Sequence, residues 1–188
     1  GCTIHPNAFL YGRTKLEEGA CIEPGVLLKD SIIRTGAKVL AYSHLEGAIV
    51  GEQARVGPYA RLREGTYLDS KVKVGNFVET KKCHLGEGSK VSHLSYVGDA
   101  EIGADSNIGC GFITCNFDGK DKHLTKIGKN SFIGSDCQAV APVEIGDDCF
   151  VASGSTINQN MKDGDFAISR CRQTTREGMA KRFLKKRN

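Results

Sequence analysis

Residues 50–74 read V-G-E-Q-A-R-V-G-P-Y-A-R-L-R-E-G-T-Y-L-D-S-K-V-K-V and set Val50, Val56, Leu62, Leu68 and Val74 six apart. An amphipathic helix would place apolar residues at i, i+3, i+4 and i+7, and a half-buried strand would alternate, so a strict period of six fits neither. The period extends through most of the chain. It runs through Ile4, Leu10, Leu16, Ile22 and Leu28, then Ile33, Val39 and Leu45, and after a slip through Leu85, Val91 and Val97. It continues at Ile102 and Ile108 and closes with Ile127, Ile133, Ala139, Ile145, Val151 and Ile157. A glycine follows the aliphatic residue at Gly51, Gly57, Gly75, Gly86, Gly98, Gly103, Gly109, Gly128, Gly134 and Gly146. One inward aliphatic per hexad, with a small residue beside it to let the chain turn, describes flat faces joined by sharp corners. Three hexads close a triangular coil of about eighteen residues, and stacked coils pair as parallel strands. The expected fold is an all-β solenoid.

Composition agrees. The chain has 188 residues, 23 Gly, 4 Pro and no Trp, enough for one domain but without the glycine period or the proline of collagen. No apolar run reaches the ~18 residues of a membrane span, and the start, G-C-T-I-H-P-N-A-F-L, lacks the form of a signal peptide. Eight cysteines (Cys2, Cys21, Cys83, Cys110, Cys115, Cys137, Cys149 and Cys171) contain no C-x-x-C pair. That spacing favours reduced, mostly buried thiols in a cytoplasmic protein over disulfides or a zinc site. The charge is uneven: residues 176–188 carry +5 against a net +4 for the whole chain, leaving the body at −1. A solvated terminal segment is the commoner meaning of such a tail, and no basic-aromatic interleaving points to nucleic acid.

The one-residue slips at 28–33, 45–50 and 97–102 read as tightened corners. The longer gap between Ile108 and Ile127 holds T-C-N-F-D-G-K-D-K-H-L-T-K, the most polar stretch of the body, and predicts an insertion loop around 114–126 with a turn at Asn116-Phe117-Asp118-Gly119. The solenoid is expected to occupy 1–170. The tail 171–188 is expected to be partly helical, starting from a capping box at Thr174 to Glu177 and covering the open end of the solenoid. Gly rather than Met at position 1 leads to the expectation of a fragment whose natural N-terminal neighbour is absent.

Chemistry is expected where residues depart from the repeat. Between Arg61 and Asp118 stand R-L-R-E-G, N-F-V-E-T-K-K, H-L-S-Y-V-G-D-A-E-I-G and N-I-G-C-G-F-I-T-C-N-F-D-G, which gather cations, carboxylates, amides and His93. Arg63 and Lys81 are separated by three hexads, one whole coil, so they are expected one above the other. With Lys122 on the loop they suit an anion, Arg as a planar fork and Lys as a point charge. Glu79 is placed to orient His93 or to hold a substrate amine or hydroxyl.

The hexapeptide pattern resembles the left-handed parallel β-helix family, an exception to the right-handed crossover rule. More specifically, V-G-N-F-V-E-T-K-K, H-L-S-Y-V-G-D-A-E-I-G, I-T-C-N-F-D-G, I-G-S-D-C-Q-A-V-A-P-V and A-I-S-R resemble the C-terminal acetyltransferase domain of the bifunctional bacterial enzymes that make UDP-N-acetylglucosamine. Those enzymes join a glucosamine-1-phosphate N-acetyltransferase to an N-acetylglucosamine-1-phosphate uridylyltransferase. The resemblance implies a cytoplasmic homotrimer with active sites between subunits, using acetyl-CoA and glucosamine 1-phosphate and needing no metal, nucleic acid or membrane. It implies His93 as general base, with Arg63, Lys81, Tyr96, Asn107 and Lys122 on the sugar phosphate. Acetyl-CoA would lie along Cys110, Asn116, Phe117, Ser135, Ser153 and Arg170. Nothing in the chain resembles the nucleotide loop of the uridylyltransferase domain, so that activity is not expected.

These residue types fit the reaction. A sugar amine attacks a thioester only when unprotonated, and a His with an ordinary pKa near 6.5 can take the proton; Ser135 or a backbone N–H can stabilise the oxyanion. Phe117 stands where the family commonly has Tyr, and Cys110 and Ser153 where it commonly has Ala. Other hexapeptide-repeat sugar or serine acetyltransferases are the nearest alternative reading. A zinc-dependent carbonic anhydrase of the same fold would need three suitably spaced His, which His84, His93 and His123 do not supply. A non-enzymatic scaffold would show flat Thr or Ser ladders instead.

Overall fold

In the computed structural model, which describes residues 1–184, the hexads close into coils. The strands Thr3–Ile4, Cys21–Ile22, Lys38–Val39, Arg55–Val56, Lys73–Asn76, Lys90–His93, Asn107–Ile108, Phe132–Ile133, Phe150–Val151 and Phe166–Ala167 stack in chain order as a ten-stranded parallel sheet, the first face. The other two faces form one 15-stranded sheet, because Glu79–Leu85 and Tyr96–Ile102 run through the corner between them unbroken. The molecule is an all-β, left-handed parallel β-helix. Ile4 pairs with Ile22 and Val56 with Val74, three full hexads on, whereas Ile22 pairs with Val39 and Val74 with Val91, one position short of that. The shorter coils lose their residue at the corner between the second and third faces, where Leu27–Lys29 is followed at once by Ile32–Ile33.

From Ile22 to Ile157 every aliphatic of the hexad series is buried, none more than 6% exposed. Burial of each such side chain contributes roughly 1.5–3 kcal/mol. Ile4 and Leu10, in the first coil, are 50% and 37% exposed, since only one coil covers them. The interruptions of the series are filled by buried Thr80 and Thr114. Leu62 pairs with Thr80, whose hydroxyl meets that of Thr66 at 3.0 Å. Thr114 Oγ1 accepts from the Gly98 N–H at 2.8 Å. A threonine that satisfies its hydroxyl inside fits the inward position but escapes an aliphatic count.

The glycines serve a different purpose from the turning role the repeat suggests. Of the ten that follow an inward aliphatic, only Gly57 has a positive φ. At Gly75 the constraint is proximity: a Cβ there would collide with the carbonyl of Ser92 in the next coil. The left-handed corner residue usually comes two positions later, as at Gln53, Phe77, Asp105, Asn130, Asp136 and Asp148.

Two further expectations need correction. The tail forms no α-helix among the described residues: it has one short 3-10 turn, Met179–Arg182, entered through Gly178 at φ 68°, while Phe183 and Leu184 remain exposed. A glycine in the left-handed region breaks the segment just where the helix would begin. Residues 185–188 lie outside the described part. The cysteines are all unpaired, as expected, but only Cys83, Cys137 and Cys149 are buried, and Cys2 and Cys171 are exposed. The others occupy outward strand or corner positions, which the repeat leaves free.

Leu62, fully buried between Leu45 and Thr80, tests the packing. Leu62→Ala is expected to cost about 2–5 kcal/mol, read as a lower denaturation midpoint in urea; a loss under about 1 kcal/mol would contradict a close-packed interior.

Candidate functional site

His93 ends the strand Lys90–His93 at the corner between the first and second faces. Val91 pairs with Ile108, Ile108 with Ile133, Ile133 with Val151, and Val151 with Ala167. Two residues beyond each, therefore, His93, Cys110, Ser135 and Ser153 stand in one column along this corner. Inter-coil bonds tie the column together: Gly111 N to His93 O at 3.4 Å, Asp136 N to Cys110 O at 2.7 Å and Gly154 N to Ser135 O at 2.8 Å. Ser153 Oγ accepts from Ser135 N at 3.2 Å. The Arg170 side chain packs at the foot of the column near Gly154, and no carboxylate lies within ion-pair distance of it among the described residues.

The second face carries the cations. Arg61 pairs with Glu79, and Glu79 with Tyr96, in the outward row; one step along, Arg63 lies beside Lys81 because Leu62 pairs with Thr80. Arg63 Nη1 donates to Glu79 Oε1 at 2.9 Å. Lys122 approaches Lys81 from the loop, and its proximity, then partial desolvation, then the charges of Arg63 and Lys82, lower the Lys81 pKa below the ordinary lysine value. Three cations converge with a single carboxylate among them. That arrangement is self-repelling and is relieved by an anion.

The loop is a short hairpin, with Phe117 and Lys122 paired antiparallel. It enlarges its coil, so that Ile108 pairs with Ile133 rather than with a residue three hexads on. Asp118 organises it: Oδ1 accepts from the N–H groups of Lys120 and Asp121 at 2.8 and 2.7 Å, and Oδ2 meets His123 Nε2 at 2.7 Å. Those backbone hydrogen bonds, with His123, hold its carboxyl well below the usual range. At the root, buried Asn116 donates from Nδ2 to Asp99 Oδ2 at 2.5 Å and reaches Tyr96 Oη at 3.5 Å. Phe117 is exposed at the tip.

One chain thus gathers Arg63, Glu79, Lys81, Tyr96, Asn116 and Lys122 on or beside the second face, with His93 at its edge. Asn107 stands apart, on the outer side of the first face between Lys90 and Phe132. Glu79 is engaged by Arg63, and the side chain that meets the His93 ring is Asn76, whose Oδ1 is 2.9 Å from Nδ1. Asn76 and His93 pair across adjacent coils; a coil of three full hexads would have matched His93 with Gly75. Asp99, the partner of Asn116, also escapes sequence reasoning, because its coil too is one position short of three hexads. A groove on the third face, lined by Asp69, His84, Glu101, Lys126 and Glu144, holds none of these residues.

A family described as the GMPPB C-terminal domain matches residues 1–78, and one described as the bacterial transferase hexapeptide (six repeats) matches 124–159. The chain is 51% identical over 183 residues to the bifunctional protein GlmU of Pelobacter propionicus, covering 97% of the chain and 40% of the relative. It is 52% identical over 175 residues to GlmU of Pseudomonas putida, covering 93% and 38%. The chain therefore spans about two fifths of the length of the curated relatives it matches. Among solved structures, LpxA of Bacteroides fragilis, a UDP-N-acetylglucosamine acyltransferase, superposes with a TM-score of 0.55 at 16% identity, covering 85% of this chain and 66% of that one. That likeness concerns the fold.

The cation cluster predicts anion-dependent stability. Inorganic phosphate at ten times its Kd is expected to raise the Tm by about 3–6 °C, and Lys81→Met to abolish the rise. Because the anion favours charged Lys81, whose pKa is lowered, binding is expected to weaken with rising pH sooner than for an ordinary lysine. A pH-independent phosphate effect, or one that survives Lys81→Met, would contradict the assignment.

Proposed function

Because the chain is about half identical to the C-terminal part of GlmU proteins, we propose that it belongs with them and transfers an acetyl group from acetyl-CoA to the amine of glucosamine 1-phosphate. The observation that carries this reading is the gathering of Arg63, Lys81 and Lys122 on the second face, with His93 at its edge, in a chain half identical to those relatives. The cations bind the sugar phosphate, with Tyr96 on the adjoining row beside Glu79, which keeps Arg63 in place. The sugar amine is bound in its neutral form, and His93 is placed to take a proton from its nitrogen as the C–N bond forms. The amine then attacks the thioester carbonyl, a C–N bond forms, and the oxyanion is met by Ser135 or a backbone N–H. Collapse breaks the C–S bond, and the CoA thiolate leaves and takes up the proton that His93 removed from the nitrogen.

The corner column from Cys110 through Ser135 and Ser153 supplies a straight track for acetyl-CoA, with Arg170 for its phosphates, and Asn116 and Phe117 are assigned to the same ligand from the far edge of the second face. Phenylalanine at 117 offers a face for packing and no hydroxyl. Asn107 lies around the corner from Lys81, and a site that draws the two from neighbouring copies of a homotrimer would bring them together. The product, N-acetylglucosamine 1-phosphate, serves UDP-N-acetylglucosamine synthesis.

Thiol release from acetyl-CoA is expected with glucosamine 1-phosphate and to be far slower with glucosamine or serine. His93→Ala should lower turnover by roughly 10²–10⁴. Equal rates with and without the sugar phosphate would remove the role of the cations, and undiminished turnover in His93→Ala would sink the mechanism. Light scattering should give three times the 20.3 kDa chain mass; an active monomer would exclude the shared site.

A further inference from the structure

We propose that Asn76 is a positioning residue for His93: its carbonyl oxygen holds the imidazole as the Nδ1–H tautomer and leaves Nε2 as the basic nitrogen. This rests on the reading of His93 as the base. An amide oxygen cannot donate, so at the observed 2.9 Å the ring nitrogen must carry the proton. The contact is built into the backbone, since Asn76 and His93 are in-register partners of adjacent coils. The backbone of His93 is held as well, its carbonyl accepting from Ser95 Oγ at 2.8 Å. The His93 side chain is exposed, so without such a partner its ring would turn freely.

The choice of an amide has a chemical meaning that the other histidines bring out. His84 has Asp69 Oδ2 at 3.0 Å, and His123 has Asp118 Oδ2 at 2.7 Å. A carboxylate against a ring N–H stabilises imidazolium and would keep the base protonated. A neutral amide fixes the tautomer and orientation without that charge. The charged groups on the strands around His93 are Lys73 and Lys90 on its own face, and Arg61, Glu79, Lys81, Lys82, His84, Asp99 and Glu101 on the strands that form or continue the second face, with Arg63 just beyond and Lys122 on the hairpin. Tyr96 and Cys110 are its uncharged titratable neighbours.

The test combines imidazole nitrogen NMR of the full chain with steady-state kinetics. Wild-type His93 is expected as the Nδ1–H tautomer. Asn76→Ala should shift it toward Nε2–H and lower kcat about tenfold or more while each KM stays within about twofold. Asn76→Asp, nearly isosteric, should keep the tautomer, move the acid limb of the kcat profile up by about one pH unit, and recover turnover on the alkaline side. An Nε2–H wild-type ring, an unshifted Asp profile, or full turnover in Asn76→Ala with the ring unchanged would overturn the proposal while His93→Ala remained inactive. Full turnover in His93→Ala would instead remove the base reading, and the positioning role with it.

Discussion

The hydrogen bonds that each coil makes to the next are the constraint on which everything else in this molecule depends. A parallel ladder fixes which residue stands above which, and here the step is three full hexads or one position less, depending on a single corner. Inward positions become continuous columns, aliphatic apart from buried threonines such as Thr80 and Thr114. The glycines beside them exist because the neighbouring backbone leaves no room for a side chain. The same ladder delivers residues far apart in sequence to one row: Arg61, Glu79 and Tyr96 on the second face, and Asn76 and His93 at its edge. No local helix or sheet propensity needs to be invoked for the site, whose order is that of the stacking.

The fold is legible because a six-residue period is a global property that single exceptions cannot hide. What escapes is local. Thr80 and Thr114 occupy inward positions that an aliphatic count leaves blank, since a buried hydroxyl with a partner behaves there as a small filler. A turning role for the glycines fails because conformational freedom and lack of bulk leave the same mark in a sequence. The tail carries helix signals, but Gly178 adopts a left-handed conformation that they cannot overcome. Candidate site residues are visible as departures from the repeat, whereas their pairings depend on whether a coil keeps its full three hexads or drops one position at a corner. That one position decides between Gly75 and Asn76 as the neighbour of His93.

Electrostatics and architecture divide the site between them. The solenoid holds Arg63 and Lys81 on strands that cannot separate, and the hairpin, clamped by Asp118, brings Lys122 to the same place. Repulsion among these groups is a standing cost of the unliganded protein. Glu79 offsets part of it at Arg63, leaving the two lysines with no carboxylate of their own among the described residues.

The corner column running from Asn76 through His93, Cys110, Ser135 and Ser153 makes the edge of the molecule a graduated scale. Its marks are separated by the inter-strand spacing of about 4.8 Å, and no substitution can move one of them by a fraction of that step. An elongated molecule lying along the edge is measured in whole coils, with side-chain length as the only fine adjustment. Changing the span between the reactive end and the far end of such a molecule therefore requires adding or removing a coil, whereas changing its chemistry requires only new side chains at the existing marks.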